Sequence, residues 1–248
     1  MRKTGLLASV ADEREARLVL ELGVDIIDLK NPAAGALGAL ALHEVRGIVH
    51  ALSGRQPLSA TVGDLPMEPA MLAAAVRSMG ETGVDYVKIG FFPGGDWQAC
   101  LSALAPLARQ YRLIAVLFAD QQPEYAWVDA IAAAGFSGAM LDTMDKQRGS
   151  LRQVLPDALL AEFVAQTRRH GLLSGLAGSL RREDILHLLP LQPDYLGFRG
   201  ALCRGCERTA LLDAEAVAEI RGSIPYRQTS SNVGCAVDIG APHEHDNS

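Results

Sequence analysis

Eight times along the chain a short run of β-branched or apolar residues gives way to a longer amphipathic helical segment. This alternation constrains the fold more than any other feature. Strands are predicted near 4–10, 24–30, 58–62, 84–89, 112–118, 136–141, 171–176 and 194–198. Helices are predicted near 12–22, 42–53, 67–80, 96–110, 124–134, 157–170, 181–189 and 213–221. Several helical segments close on a glycine that opens the next strand: Leu22-Gly23-Val24-Asp25, Thr82-Gly83-Val84-Asp85, Ala134-Gly135-Phe136 and His170-Gly171-Leu172. A glycine just past a helix end accepts the left-handed backbone that stops the helix. Strict alternation requires a parallel sheet, and eight strands close one into a single (β/α)8 TIM barrel. A doubly wound open sheet fits less well, because the first βα turn, Ser9-Val10-Ala11-Asp12, lacks the glycines that cradle a pyrophosphate.

Length and composition agree with one barrel. The chain has 248 residues, 49% of them hydrophobic, enough for one large core. Residues 1–225 are assigned to the barrel. Residues 226–248 turn to Ser, Asn, Gly and His without periodicity and read as a short disordered C-terminal tail. His243-Glu244-His245 within it is read as incidental rather than as a metal site. A net charge of −6 argues against nucleic acid or a membrane surface as partner. No apolar run approaches the roughly 20 residues that span a bilayer, and the N-terminus lacks a signal-peptide pattern. A cytoplasmic location is expected. Four cysteines (Cys100, Cys203, Cys206, Cys235) make no disulfide framework, and the lone Cys203-x-x-Cys206 reads as two incidental thiols.

The basic residues are unevenly chosen: 19 arginines against four lysines, Lys3, Lys30, Lys88 and Lys146. Arginine stays charged and is no nucleophile, whereas an amine can lose its proton and attack a carbonyl. Three of the four lysines lie at or just beyond the C-terminal end of a predicted strand, the rim that carries barrel active sites. Counted from the glycine that opens each strand, Asp28, Lys30, Lys88 and Asp142 share parity, so period two places all four on the barrel's inner face. Two ammonium groups in one cavity lower each other's pKa, which is a route to a neutral amine for imine formation. Asp28 or Asp142 can then shuttle protons. Parity leaves open which amine is the nucleophile. The competing structural reading pairs Asp28 with Lys30 and Asp142 with Lys88 as buried ion pairs that merely hold the rim.

Strand seven leads into Ser174-Gly175-Leu176-Ala177-Gly178-Ser179, and strand eight into Gly197-Phe198-Arg199-Gly200. Phosphate-handling barrels commonly bind their anion between these two loops. Gly175, Gly178 and Gly200 are expected to let the backbone approach phosphate, with Ser179 donating a hydroxyl and Arg199 a bidentate fork. A glycine-rich stretch opening at Asn31, which is counted among the substrate-binding candidates, is a possible lid or second anion cradle running to Gly38.

Taken together, a series of motifs is specific. They are Asp28-Leu29-Lys30-Asn31-Pro32-x-x-Gly35-x-Leu37-Gly38, Ser59-Ala60-Thr61-x-Gly63-Asp64, Val87-Lys88-Ile89-Gly90, Leu141-Asp142-Thr143-x-x-Lys146, Gly175-Leu176-Ala177-Gly178-Ser179-Leu180 and Gly197-Phe198-Arg199-Gly200-Ala201-Leu202-Cys203. Over roughly residues 4–222 the chain resembles the (5-formylfuran-3-yl)methyl phosphate synthase family. The resemblance implies condensation of two molecules of glyceraldehyde 3-phosphate, with loss of phosphate and water, to a phosphorylated furan aldehyde, a precursor of methanofuran-type carriers. It also implies a Schiff-base lysine at Lys30 and a proton-transferring lysine at Lys88, supported by Asp28, Asp142 and Lys146. No metal or organic cofactor is implied. The partner expected is the small-molecule substrate, and a homo-oligomer is compatible with it. Two alternatives stand beside this reading: a class I aldolase or transaldolase, and a non-catalytic barrel that binds phosphometabolites.

Overall fold

In the computed structural model, residues 4–52, 54–145 and 148–225 are described, and the predicted alternation is present throughout them. The strands are β1 (Gly5–Val10), β2 (Ile26–Leu29), β3 (Leu58–Thr61), β4 (Tyr86–Phe91), β5 (Arg112–Phe118), β6 (Gly138–Asp142), β7 (Leu173–Leu176) and β8 (Tyr195–Phe198). Each pairs in parallel with its successor, and β8 returns to pair with β1, so the sheet is a closed barrel. The helices are α1 (Glu13–Glu21), α2 (Leu42–Leu52), α3 (Pro69–Gly80), α4 (Trp97–Ala108), α5 (Ala126–Ala133), α6 (Leu151–Val154), α7 (Asp157–Arg169), α8 (Arg182–Leu188) and α9 (Ala214–Ser223). The single turn α6 and the 3-10 turns at Gly200–Leu202 and Arg204–Cys206 were not expected from periodicity. All four helix-ending glycines, Gly23, Gly83, Gly135 and Gly171, have positive φ. The tail lies outside the described residues.

Burial separates into two layers, and the layers fix the register. Ile27, Leu29, Val87, Ile89, Ala139 and Leu141 face outward and join the large core between sheet and helices. Leu7, Ile26, Ile114, Met140 and Tyr195 face inward and plug the barrel. Asp28 therefore shares the inner face with Ile26, Lys88 with Tyr86, and Asp142 with Met140, as parity requires.

The N-terminal end of the barrel is held by aspartates that precede strands. Asp25 accepts the Leu6 N–H (2.7 Å), Asp85 the Leu58 N–H (2.8 Å) and Asp194 the Ser174 N–H (2.9 Å). Arg221 of α9 donates to Asp25 at 2.6 Å, tying the last helix to the second strand. These are charge-assisted bonds to main-chain donors at the starts of strands, so they fix strand ends without entering the cavity at the other end.

Gly175 belongs to the inner plug. A Cβ there would lie 2.5 Å from the Tyr195 ring and 2.8 Å from the Met140 Cβ. Gly175→Ala should therefore overpack the barrel and cost about 1–3 kcal/mol. Gly47, inside α2, has nothing within 4 Å of a new Cβ, and Gly47→Ala should gain about 0.5–1 kcal/mol from helix propensity. Urea midpoints measure both. Equal shifts in the two variants would show that the Tyr195 contact is not a packing constraint.

Candidate active site

The inner face carries its charges at the level where the apolar plug ends. Strand register sets Ser9 beside Asp28 and Asp28 beside Ser59. The Ser59 hydroxyl donates to Asp28 Oδ1 at 2.6 Å, and the Ser9 hydroxyl donates to Oδ2 at 2.9 Å. Lys88 Nζ, from β4, donates to the same Oδ2 at 2.9 Å, with both side chains essentially without solvent contact. Burial works against a charged Asp28. It is outweighed by the Lys88 and Lys30 charges and by the bonds from Ser59 and Lys88, which hold the carboxyl below the usual aspartate range. The hydrogen-bonded ion pair is thus Asp28 with Lys88, with the Lys30 charge acting on the same carboxylate.

Above this pair opens a cavity of about 250 Å³ at the C-terminal end of the strands. Lys30 from the end of β2, Lys88 from β4 and Asp142 from the end of β6 border it together. Lys30 and Asp142 are buried except for the surface they present to it. Asp142 Oδ1 accepts the Thr143 N–H at 2.7 Å, which orients the carboxylate. Asp28 does not itself border the cavity, but two of its hydrogen-bond partners, Lys88 and Ser9, do. Lys146 lies outside the described residues.

The expected phosphate residues divide. Gly178 and Ser179 border the cavity, both with left-handed backbone (φ +114° and +47°), and so does Gly200. A Cβ on Gly178 would come within 2.9 Å of the Thr143 backbone nitrogen, so the β7 loop closes tightly on the β6 loop. Gly175 does not border the cavity; it is the packing glycine of the plug. Asn31 is also away from it, its side chain accepting the Ala33 N–H at 3.0 Å to shape the β2 loop. Arg199 also borders the cavity, but its donors are not free to meet a phosphate. Its five N–H groups are all engaged. They reach Arg208 O (2.8 Å), Ser9 O (3.2 Å), Ala210 O (3.0 Å) and both oxygens of the buried Glu15 carboxylate (2.5 and 3.3 Å). No donor is left to fork onto a phosphate. Arg199 instead locks the end of β8 to α1, closing the first and last units of the barrel.

Several site residues carried no assigned role in the sequence reading. Ser9 and Ser59 share the inward parity of Asp28, so the period-two argument extends to them. Arg181, the N-cap of α8, and Arg208, in the loop after β8, also border the cavity, and no local pattern marks either as a site residue. Cys203 and Cys206 are free thiols, and burial pushes the Cys203 thiol up to about 11. Among the described residues no helix is long and apolar enough to cross a membrane.

A closed parallel barrel with buried lysines and carboxylates converging at its C-terminal mouth defines a (β/α)8-barrel enzyme. The 4-HFC-P synthase family matches residues 6–221. A Methylorubrum extorquens protein provisionally named (5-formylfuran-3-yl)methyl phosphate synthase is 46% identical over 214 residues, covering 86% of this chain and 89% of its own. The (5-formylfuran-3-yl)methyl phosphate synthase of Methanosarcina acetivorans is 32% identical over 218 residues, covering 83% and 93%. Among solved structures, phosphoribosyl anthranilate isomerase from Thermus thermophilus matches with a TM-score of 0.64 at 17% identity. It covers 88% of this chain and 97% of that one, and speaks to the barrel alone. The chain belongs to the 4-HFC-P synthase family and is an enzyme of that kind.

Two outcomes follow from these contacts. Because the Asp28 pKa is lowered by folding, it adds stability that is present above the ordinary aspartate pKa of about 4 and lost as pH falls through the lowered value. The stability of Asp28→Asn, measured by denaturant unfolding between about pH 7 and pH 3, should therefore fall less steeply with acid than that of the wild type. An unchanged slope would assign the acid sensitivity to other carboxylates. Arg199→Lys cannot reproduce the five bonds and leaves Glu15 and several carbonyls short of donors. It should cost roughly 2–4 kcal/mol of stability while KM changes less than about twofold. A raised KM with unchanged stability would return Arg199 to the substrate.

Proposed function

We propose that the enzyme joins two molecules of glyceraldehyde 3-phosphate into (5-formylfuran-3-yl)methyl phosphate through an imine on Lys30. The observation that carries this reading is the meeting of Lys30, Lys88 and Asp142 around one cavity, with Lys88 anchored from below by Asp28. Family membership supplies the product. Atom balance constrains the route: two triose phosphates reach the furan by losing one phosphate and two waters, so neither oxidant nor reductant enters.

The proposed sequence uses the groups at hand. The Lys30 amine adds to the aldehyde carbon and water leaves, giving an imine that acidifies the adjacent C–H. Lys88 carries the proton removed there, and the enamine forms the carbon–carbon bond to the second molecule. Asp142 lies where it can move protons during loss of water and phosphate. Ring closure and dehydration to the aromatic furan draw the sequence forward, and hydrolysis of the imine frees the product aldehyde and the Lys30 amine. The arrangement of Asp28 and the two serines leaves Lys88 little freedom, as suits a proton carrier whose direction matters. Supply of a furan for methanofuran-type carriers, and a cytoplasmic location, are parts of the same proposal.

Borohydride reduction in the presence of glyceraldehyde 3-phosphate, followed by peptide mass mapping, should place the adduct on Lys30. Lys30→Arg should abolish it. Lys88→Arg should still trap substrate, with turnover lowered roughly 10²–10⁴-fold. An adduct on Lys88, with Lys30→Arg still trapping, would exchange the two roles. An active enzyme that traps at neither lysine would sink the imine. Release of one phosphate per two molecules of glyceraldehyde 3-phosphate consumed separates this reaction from a reversible aldol cleavage.

A further inference from the structure

With Arg199 fully occupied, the cavity holds another guanidinium placed for an anion. Arg208 follows the Arg204–Cys206 turn in the segment after β8 and borders the same cavity as Lys30, Lys88 and Asp142. One Nη2–H donates to the Gly35 carbonyl at 2.7 Å. Among the described residues it makes no other hydrogen bond and no ion pair, so most of its five donors are uncommitted. Burial draws its pKa down, countered by the Asp142 and Asp64 charges and reinforced by Arg199. A half-buried guanidinium with no carboxylate bonded to it is short of an anion, and a phosphate fits its planar fork.

The partner of Arg208 across the mouth is held with equal care. Asp64, from the loop after β3, accepts the N–H groups of Ala36 (2.7 Å) and Leu37 (2.6 Å). Gly35 has φ +104°, and any side chain there would collide with the Asp64 carboxylate. The β2 loop thus presents the Gly35 carbonyl at a fixed place, and Arg208 spans from the β8 loop to meet it. We propose that Arg208 binds the phosphate of the substrate whose carbonyl reacts below it, with the Gly35 carbonyl fixing the angle of the guanidinium. This rests on the reading that the substrate is a phosphorylated carbonyl compound.

The test separates phosphate binding from chemistry. Glycerol 3-phosphate carries the phosphate but has no carbonyl, and glyceraldehyde carries the carbonyl but has no phosphate. By titration calorimetry, Arg208→Gln should bind glycerol 3-phosphate roughly tenfold or more weakly than the wild type, with Arg208→Lys between them. KM for glyceraldehyde 3-phosphate should rise in step, while borohydride trapping of glyceraldehyde stays as in the wild type. Unaltered melting temperatures keep a folding defect apart from a binding one, and Arg208→Lys preserves the charge if Arg208→Gln folds poorly. Glycerol 3-phosphate binding within about twofold of wild type in both variants would overturn the proposal. So would equal losses with glyceraldehyde, which would make Arg208 a strut of the β2 loop. Failure of the furan product to form, with the calorimetric difference intact, would count against the condensation and not against Arg208.

Discussion

The ion pair of Asp28 and Lys88 sets the terms for the rest of the structure. Two opposite charges sit inside a closed barrel, directly above a plug of Leu7, Ile26, Ile114, Met140 and Tyr195. Removing both from water costs several kcal/mol per ion, and their attraction repays it only when the remaining lone pairs are satisfied. Ser9 and Ser59 meet that condition, one from each neighbouring strand, because parallel register puts them level with Asp28. An apolar isostere in place of the pair would pack at least as well. The pair fits function better than stability: it holds an amine at a defined height in the cavity.

Geometry also explains why Asp28 chooses Lys88. In such barrels the side chains of one interior layer come from alternate strands. Asp28 is on β2, Lys88 on β4 and Asp142 on β6, all even-numbered, so they converge at neighbouring levels. Lys30 follows Asp28 by two residues on the same face, which raises it by roughly 6–7 Å along the strand. It therefore borders the cavity while Asp28 lies below it. One strand thus supplies both a support for Lys88 and the second amine, and the two lysines border the cavity from different depths.

The features that were legible in the sequence are those governed by local rules. Helix-ending glycines and period-two alternation depend on a few successive residues, and they placed the strands and the inward face of Asp28, Lys30, Lys88 and Asp142. Parity cannot say which carboxylate meets which amine, because that depends on the barrel's curvature. Nor could the sequence separate Arg199 from Arg208. Arg199 faces Glu15, 184 residues away in the chain, and Arg208 reaches Gly35, 173 residues away. Gly175 looked like its neighbour Gly178, yet one belongs to the plug and the other to the cavity, because three residues carry the chain from the strand out into the loop. Asn31 stands next to Lys30, but its side chain turns back to cap its own loop.

The bias toward arginine has a structural counterpart. The two lysines among the described residues, Lys30 and Lys88, both border the cavity, and the positive charge elsewhere among them is carried by arginine. Guanidinium groups do the positioning: Arg199 on Glu15, Arg221 on Asp25, Arg152 on Asp157. Each is a planar, permanently charged fork whose bonds do not depend on pH in the working range. Amines occur where the proposed route needs a proton to come and go. On the proposed imine route, a surface free of lysine among these residues would leave a reactive aldehyde few places to form an imine other than the cavity. On that proposal, arginine at either cavity position would keep the charge and lose the chemistry.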